Sequence, residues 1–136
     1  MGAASNYLEN KILDHVLTST AYTQPSRYLA LFTADPGEGT GTTSNFTNEI
    51  STSGTAYARQ AVTFAAASGG SSATNATVTF PTATANWGTV THVAVVDGDT
   101  EGSGNILFYG AVTTSKTIET GDTFQISSGN LTVSLD

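Results

Sequence analysis

From residue 27 onward the apolar residues arrive in short runs, each cut off by glycine, proline, asparagine or clustered serine and threonine. That punctuation constrains the fold more than any other feature of the chain. In "YLALFTADPGEG" the residues Tyr28 to Ala34 read as a strand with large apolar side chains on both faces, and Asp35, Pro36 and Gly37 end it with turn chemistry. "YARQAVTFAAA" predicts a strand from Tyr57 to Phe64 with Val62 and Phe64 pointing one way; "SGGSSATN" breaks it. "ATVTFP" resumes with Val78 and Phe80 inward until Pro81, which cannot donate to a ladder, stops it. A further strand is predicted over Thr89 to Val96, another in "NILFYGAVT", and two short ones in "DTFQISSGNLTVSLD" joined at Ser128, Gly129 and Asn130. About seven short strands at this spacing predict a mainly β fold, an antiparallel β-sandwich or barrel, and not alternating βα units.

One segment has a different period. Residues 6–18 predict the single N-terminal α-helix, with Asn6 as cap, Glu9 three residues on as its capping-box partner, and Leu8, Ile12, Leu13, Val16 and Leu17 on one stripe. An apolar stripe must be covered, either by the chain's own sheet or by a neighbouring subunit. Residues 37–54, "GEGTGTTSNFTNEISTSG", form a long loop in which Phe46 and Ile50 have no obvious local core; it reads as a contact arm for a neighbour or as a mobile loop. At 136 residues the chain is expected to be one domain spanning 1–136. Cysteine is absent, so packing, hydrogen bonds and self-association must hold the fold without disulfides, and thiol chemistry is excluded.

The formal charge of −7 comes from 11 acidic residues against four basic ones, Lys11, Arg27, Arg59 and Lys116, which are scattered. Gripping a phosphate backbone takes clustered cations that displace counterions, so neither nucleic acid nor an anionic membrane is an expected partner. Charged residues make up only 11% of the chain, against roughly 25% in ordinary soluble proteins. Threonine, serine, glycine and asparagine take their place, and short hydroxyl side chains lose little rotamer entropy when a neighbour covers them. Threonine also suits β-strands, which accounts for part of the enrichment. "MGAASNYLENKILDHV" lacks the basic and apolar regions of a secretory signal, and Asn6 stands where a myristoylation pattern wants serine or threonine. No run approaches the ~18 apolar residues of a membrane span.

"VVDGDTEGSGNILFYG" has the look of a calcium loop, with Asp97, Asp99 and Glu101 alternating. A helix–loop–helix calcium site starting at Asp97 needs a bidentate glutamate at its twelfth position, where Phe108 stands, and the flanks are β-like. The expected reading is a hairpin tip with no metal, its glycines permitting positive φ. Catalytic groups are equally sparse. His15 lies in the helix, and His92 lies mid-strand sharing a face with Ala94 and Val96; there is no G-x-S-x-G, H-E-x-x-H or phosphate-binding loop. The acids Asp35, Glu38, Asp97, Asp99, Glu101, Glu119 and Asp122 sit in turns, where solvent keeps them ordinary. No catalytic residue and no cofactor is predicted. Trp87 reads as a ring closing the core, with a sugar-stacking platform as the rival.

The blocks "YLENKILDHVL", "YLALFTADPGE", "YARQAVTF", "VTFPTATANWGTVTHVAVVD", "NILFYGAV" and "GDTFQISSGNLTVSLD", in this order, resemble small virion proteins of tailed bacteriophages. Sequences of this kind are often labelled tail-fibre or minor structural proteins, and similar small β-proteins serve as capsid decoration or cement proteins. The resemblance covers nearly the whole chain and implies a structural role with no catalytic residue. The expectation it supports is a decoration protein on the outer face of the major capsid shell, bound to the major capsid protein and to copies of itself as a homotrimer. Assembly would take place in the bacterial host cytoplasm. The alternatives are a tail-associated fibre or adaptor component and a host-glycan-binding module using Trp87. Tyr7, Leu8, Phe46 and Ile50 are the expected assembly contacts.

Overall fold

The structure, a computed structural model, describes residues 2–135. In chain order its elements are β1 (Ala3–Ala4), α1 (Asn6–Leu17), β2 (Tyr28–Phe32), β3 (Gln60–Ala61), β4 (Ser71–Ala73), β5 (Val78–Thr79), β6 (Gly88–Val96), β7 (Ile106–Ile118), β8 (Gln125–Ile126) and β9 (Thr132–Ser134). Five strands form one antiparallel sheet in the order β1-β7-β6-β2-β3, and two ribbons, β4 with β9 and β5 with β8, accompany it. The result is a sandwich-like β fold with one N-terminal helix; the sheets do not close into the barrel held open by the sequence.

The sheet forms around its most β-prone stretches. β6 pairs with β2 from Phe32↔His92 to Tyr28↔Val96 and with β7 on its other side, and these three strands hold a continuous block of β-branched and aromatic residues. Alternation then sorts them onto two buried faces. Leu29, Leu31, Val93, Val95 and Leu107 point into the larger core, where Val78, Phe80, Phe124 and Leu131 from around the ribbons cover them. Ala30, Phe32, Ala94, Val96 and Ile106 point the other way into a smaller cluster completed by Tyr28, Phe46 and Tyr109. His92 lies on this second face of β6, as alternation predicted. Between Val90 and His92 the register slips: Val90 faces Lys116 and His92 faces Ala111, so β7 carries the four residues 112–115 opposite the single residue Thr91.

The helix is capped by Ser5, one residue earlier than predicted. Ser5 Oγ accepts the Leu8 amide at 3.2 Å and donates to the Ile106 carbonyl, both fully buried, so a single hydroxyl caps α1 and ties it to β7. Asn6 is instead the first helical residue, and its side-chain amide donates to the Gly39 carbonyl at 2.9 Å. Of the predicted stripe, only Leu8 is buried and Ile12 partly so; Leu13, Val16 and Leu17 stay exposed.

The remaining differences lie where pairing is short. The strand predicted over Tyr57–Phe64 pairs as a ladder at Gln60–Ala61 and by a single bridge at Phe64, opposite Thr74, and Tyr57, Arg59 and Val62 are buried. Ser71–Ala73, read from sequence as a break, pairs with β9, and Ala3–Ala4 forms an unpredicted strand on the edge of β7. In each case the partner is distant in sequence, and local composition holds no trace of it.

Candidate functional site

Segment 37–54 is fastened to the sheet rather than standing free as an arm. The Thr33 amide donates to the Asn48 carbonyl at 3.0 Å and the Ile50 amide to the Leu31 carbonyl at 3.1 Å, which lays residues 48–50 along β2. Ser44 Oγ accepts the Ile106 amide at 2.9 Å, and the Asn6 amide donates to the Glu38 carbonyl at 3.1 Å. Phe46 stacks on Phe32 with ring centroids 6.3 Å apart, and Ile50 is buried in the larger core. Of the four residues expected as assembly contacts, Leu8 and Ile50 thus lie inside this chain's own core, while Tyr7 and Phe46 are half-buried. Tyr7 meets Tyr22 edge-on at 6.4 Å and carries Lys11 over its ring at 5.5 Å.

The acidic hairpin between β6 and β7 is closed by a buried ion pair that the sequence reading missed. Arg59 Nε and Nη2 donate to Glu49 Oε1 and Oε2 at 2.7 and 2.8 Å, with both side chains fully buried. Most of the remaining donors and acceptors are also used. Arg59 Nη1 donates to the carbonyls of Gly98 and Ser103 at 2.8 and 3.0 Å, and the Gly102 amide donates to Glu49 Oε2 at 2.9 Å. Tyr57 Oη donates to Glu49 Oε1 at 3.0 Å and accepts the Leu31 amide at 3.0 Å. Burial, then the nearby Glu49 charge, pushes the Tyr57 hydroxyl well above its ordinary titration range.

This arrangement decides what the calcium-like stretch can do. Two carbonyls that could ligate a cation face a guanidinium, and Asp97 accepts the Asn105 amide at 2.7 Å and the Asn105 side-chain amide at 2.9 Å. Gly104 has φ +86°, and a Cβ there would lie 2.8 Å from Asp97 Oδ1, so the tip requires glycine. The run turns the chain, and among the described residues no three histidine or acidic side chains converge on a metal position. One local signal pointed to Arg59: alternation along the strand predicted from Tyr57 to Phe64 places Arg59 on the same face as Tyr57. The partner Glu49, ten residues away in an irregular loop, left no signal.

The other candidates have structural partners. His15 Nδ1 accepts the Tyr22 amide at 3.0 Å, and His92 Nδ1 lies 2.8 Å from the neighbouring Thr91 hydroxyl, with no carboxylate hydrogen-bonded to either ring among the described residues. Trp87 is buried, donates to the Thr55 carbonyl at 2.8 Å and packs edge-on to Tyr57 at 5.5 Å. Its faces are covered, so it offers no sugar platform.

Two concave surfaces stand open among the described residues. A groove of about 560 Å³ runs beside α1, lined by Leu8, Ile12, Phe108, Val133 and Leu135, with Tyr22 and Arg27 as its main polar side chains. The Tyr22 hydroxyl oxygen is buried without a hydrogen-bond partner among the described residues, and burial raises its pKa to about 12, with Tyr7 and Asp97 adding to the shift. A second cleft, of about 590 Å³, separates the bulged part of β7 from the region of β8 and β9 and is lined by threonines, Lys116, Ile126 and Leu131. A family model described as "Podophage GP4 fiber I protein gp80" matches residues 3–134. No curated protein matches the chain.

Proposed function

Because the chain belongs to the podophage GP4 fiber I protein family, and is a small phage virion structural protein of fibre-like labelling, we propose that it is a tail-associated fibre component that works by contact and catalyses nothing. The observation that supports this reading most is the family match over nearly the whole chain, whose description names a fibre. The side-chain geometry agrees with it. Of the groups that could have been reactive, Glu49, Asp97, His15 and Tyr57 hold backbone or one another in place, and the His92 ring is paired with the Thr91 hydroxyl. In this reading the described residues form a compact module that attaches to other tail components.

Capsid decoration is the second reading, favoured by the acidic, lightly charged, threonine-rich surface, which suits an outer position away from packaged DNA. In that case the partners are the outer face of the major capsid protein and two further copies of this chain. Immunogold labelling of purified virions separates the readings, because head and tail are distinguishable in one micrograph. Gold confined to tails and a small copy number per particle support the fibre reading. Gold over the whole head, with copies near the number of capsid hexamers or trimers, replaces it with decoration.

A further inference from the structure

β7 is the longest strand of the sheet, yet its middle is unpaired. Its ladder to β6 breaks after Ala111↔His92 and resumes at Lys116↔Val90, and its ladder to β1 covers only Phe108 and Tyr109. Val112, Thr113, Thr114 and Ser115 therefore have no strand partner on either side among the described residues. β8 is open in the same way: Gln125 and Ile126 pair with β5 along one edge, and among the described residues no strand takes the other. Val112 to Thr114 and Gln125 to Ile126 both line the cleft of about 590 Å³ beside β7. Backbone amides and carbonyls left without a ladder are a template on which another strand can pair.

The lining indicates what kind of strand fits. Val93, Ile118, Phe124 and Leu131, all members of the larger core, reach the cleft, so an incoming apolar side chain meets apolar surface there. Lys116 is the one charged residue of the lining; it is exposed and has no ion pair among the described residues. Phe124, the one aromatic residue of the lining, is buried, so no open ring face is offered for a sugar to stack on. We propose that the cleft takes an extended segment of another protein by strand addition. The backbone of that segment pairs along residues 112–115 of β7, its apolar side chains cover Val93 and Leu131, and a carboxylate on it meets Lys116. Successive side chains of an extended chain point to opposite faces, so the matching sequence alternates apolar and hydroxyl residues and carries one acid.

The inference goes beyond the fibre reading and does not rest on it, and virion labelling does not bear on it. The test is amide NMR on the full chain, titrated with a blocked eight-residue peptide of alternating valine and threonine that carries one aspartate. The amides of residues 112–115 are expected to shift and to exchange more slowly with solvent. Replacing the aspartate of the peptide with lysine should weaken binding roughly fivefold, the scale of an exposed ion pair. Lys116→Glu, at an exposed position, should leave the chain folded and invert that preference. Methylating the backbone nitrogens along one edge of the peptide and then along the other should abolish binding in one of the two cases, because strand addition runs through main-chain bonds. The inference is overturned if millimolar peptide leaves residues 112–115 unmoved, if Lys116→Glu leaves the preference unchanged, or if both methylated peptides bind as before. A uronic-acid disaccharide that shifts these amides where the peptide does not gives the cleft to a glycan instead. Protection of the same amides without peptide, fading on dilution, gives it to a second copy of this chain and equally overturns the inference.

Discussion

Glu49 and Arg59 place one full charge of each sign inside the molecule, and the hydrogen bonds to Tyr57, Gly98, Gly102 and Ser103 make that arrangement tolerable. Removing one partner leaves the other charge buried and alone. Glu49→Ala and Arg59→Ala are each expected to cost about 3–5 kcal/mol in urea unfolding; a loss near that of a surface pair would show that water reaches the site. Tyr57 adds a pH dependence of definite sign. Its hydroxyl titrates above its ordinary value of 10.0 in the folded chain, so the unfolded state ionises first. The Tyr57 contribution is complete below pH 10.0 and is lost as pH climbs above that value toward the folded pKa. Unfolding followed from pH 8 to 12 should show a falling alkaline limb that flattens in Tyr57→Phe. Ala56 is a smaller matter with a clear direction: it is exposed and holds φ +62°, where a Cβ is strained. Ala56→Gly should stabilise the chain by about 1 kcal/mol, read as a rise in the urea midpoint.

At the scale of elements, the attachments of α1 and of segment 37–54 matter more than their own propensities. Ser5 is expected to be the residue on which the helix depends, because its hydroxyl serves both the Leu8 amide and the Ile106 carbonyl. Ser5→Ala should lose about 1–2 kcal/mol, with protease cleavage appearing first near α1. The loop contributes Phe46 to one core, Ile50 to the other and Glu49 to the ion pair between them. Replacing residues 38–50 with a short glycine linker is therefore expected to abolish the near-ultraviolet dichroism of the folded chain. A folded, merely non-associating product would restore the view of this segment as a free arm. Its sequence concealed the packing because Gly, Ser and Thr surround the few residues that dock, and periodicity has nothing to register in an irregular segment.

At the scale of the whole molecule, two buried sheet faces and a half-covered helix leave a groove beside α1 and a cleft beside β7 open among the described residues. The sequence alone determined the β class, the helix over its one stripe, the alternating faces of β2 and β6, the hairpin at Asp97–Asn105 and the core position of Trp87. Each of these follows from neighbours within a few residues: a period of two or 3.6, or a turn residue that permits positive φ. Tertiary structure alone decided which partner each strand took, that Ser71–Ala73 is a strand, that Arg59 is neutralised by Glu49, and that α1 is covered on Leu8 and left bare on Leu13, Val16 and Leu17. Those outcomes depend on segments tens of residues apart meeting in one place. Local sequence fixes which face of an element is apolar, but what comes to cover that face is settled only when the whole chain has packed.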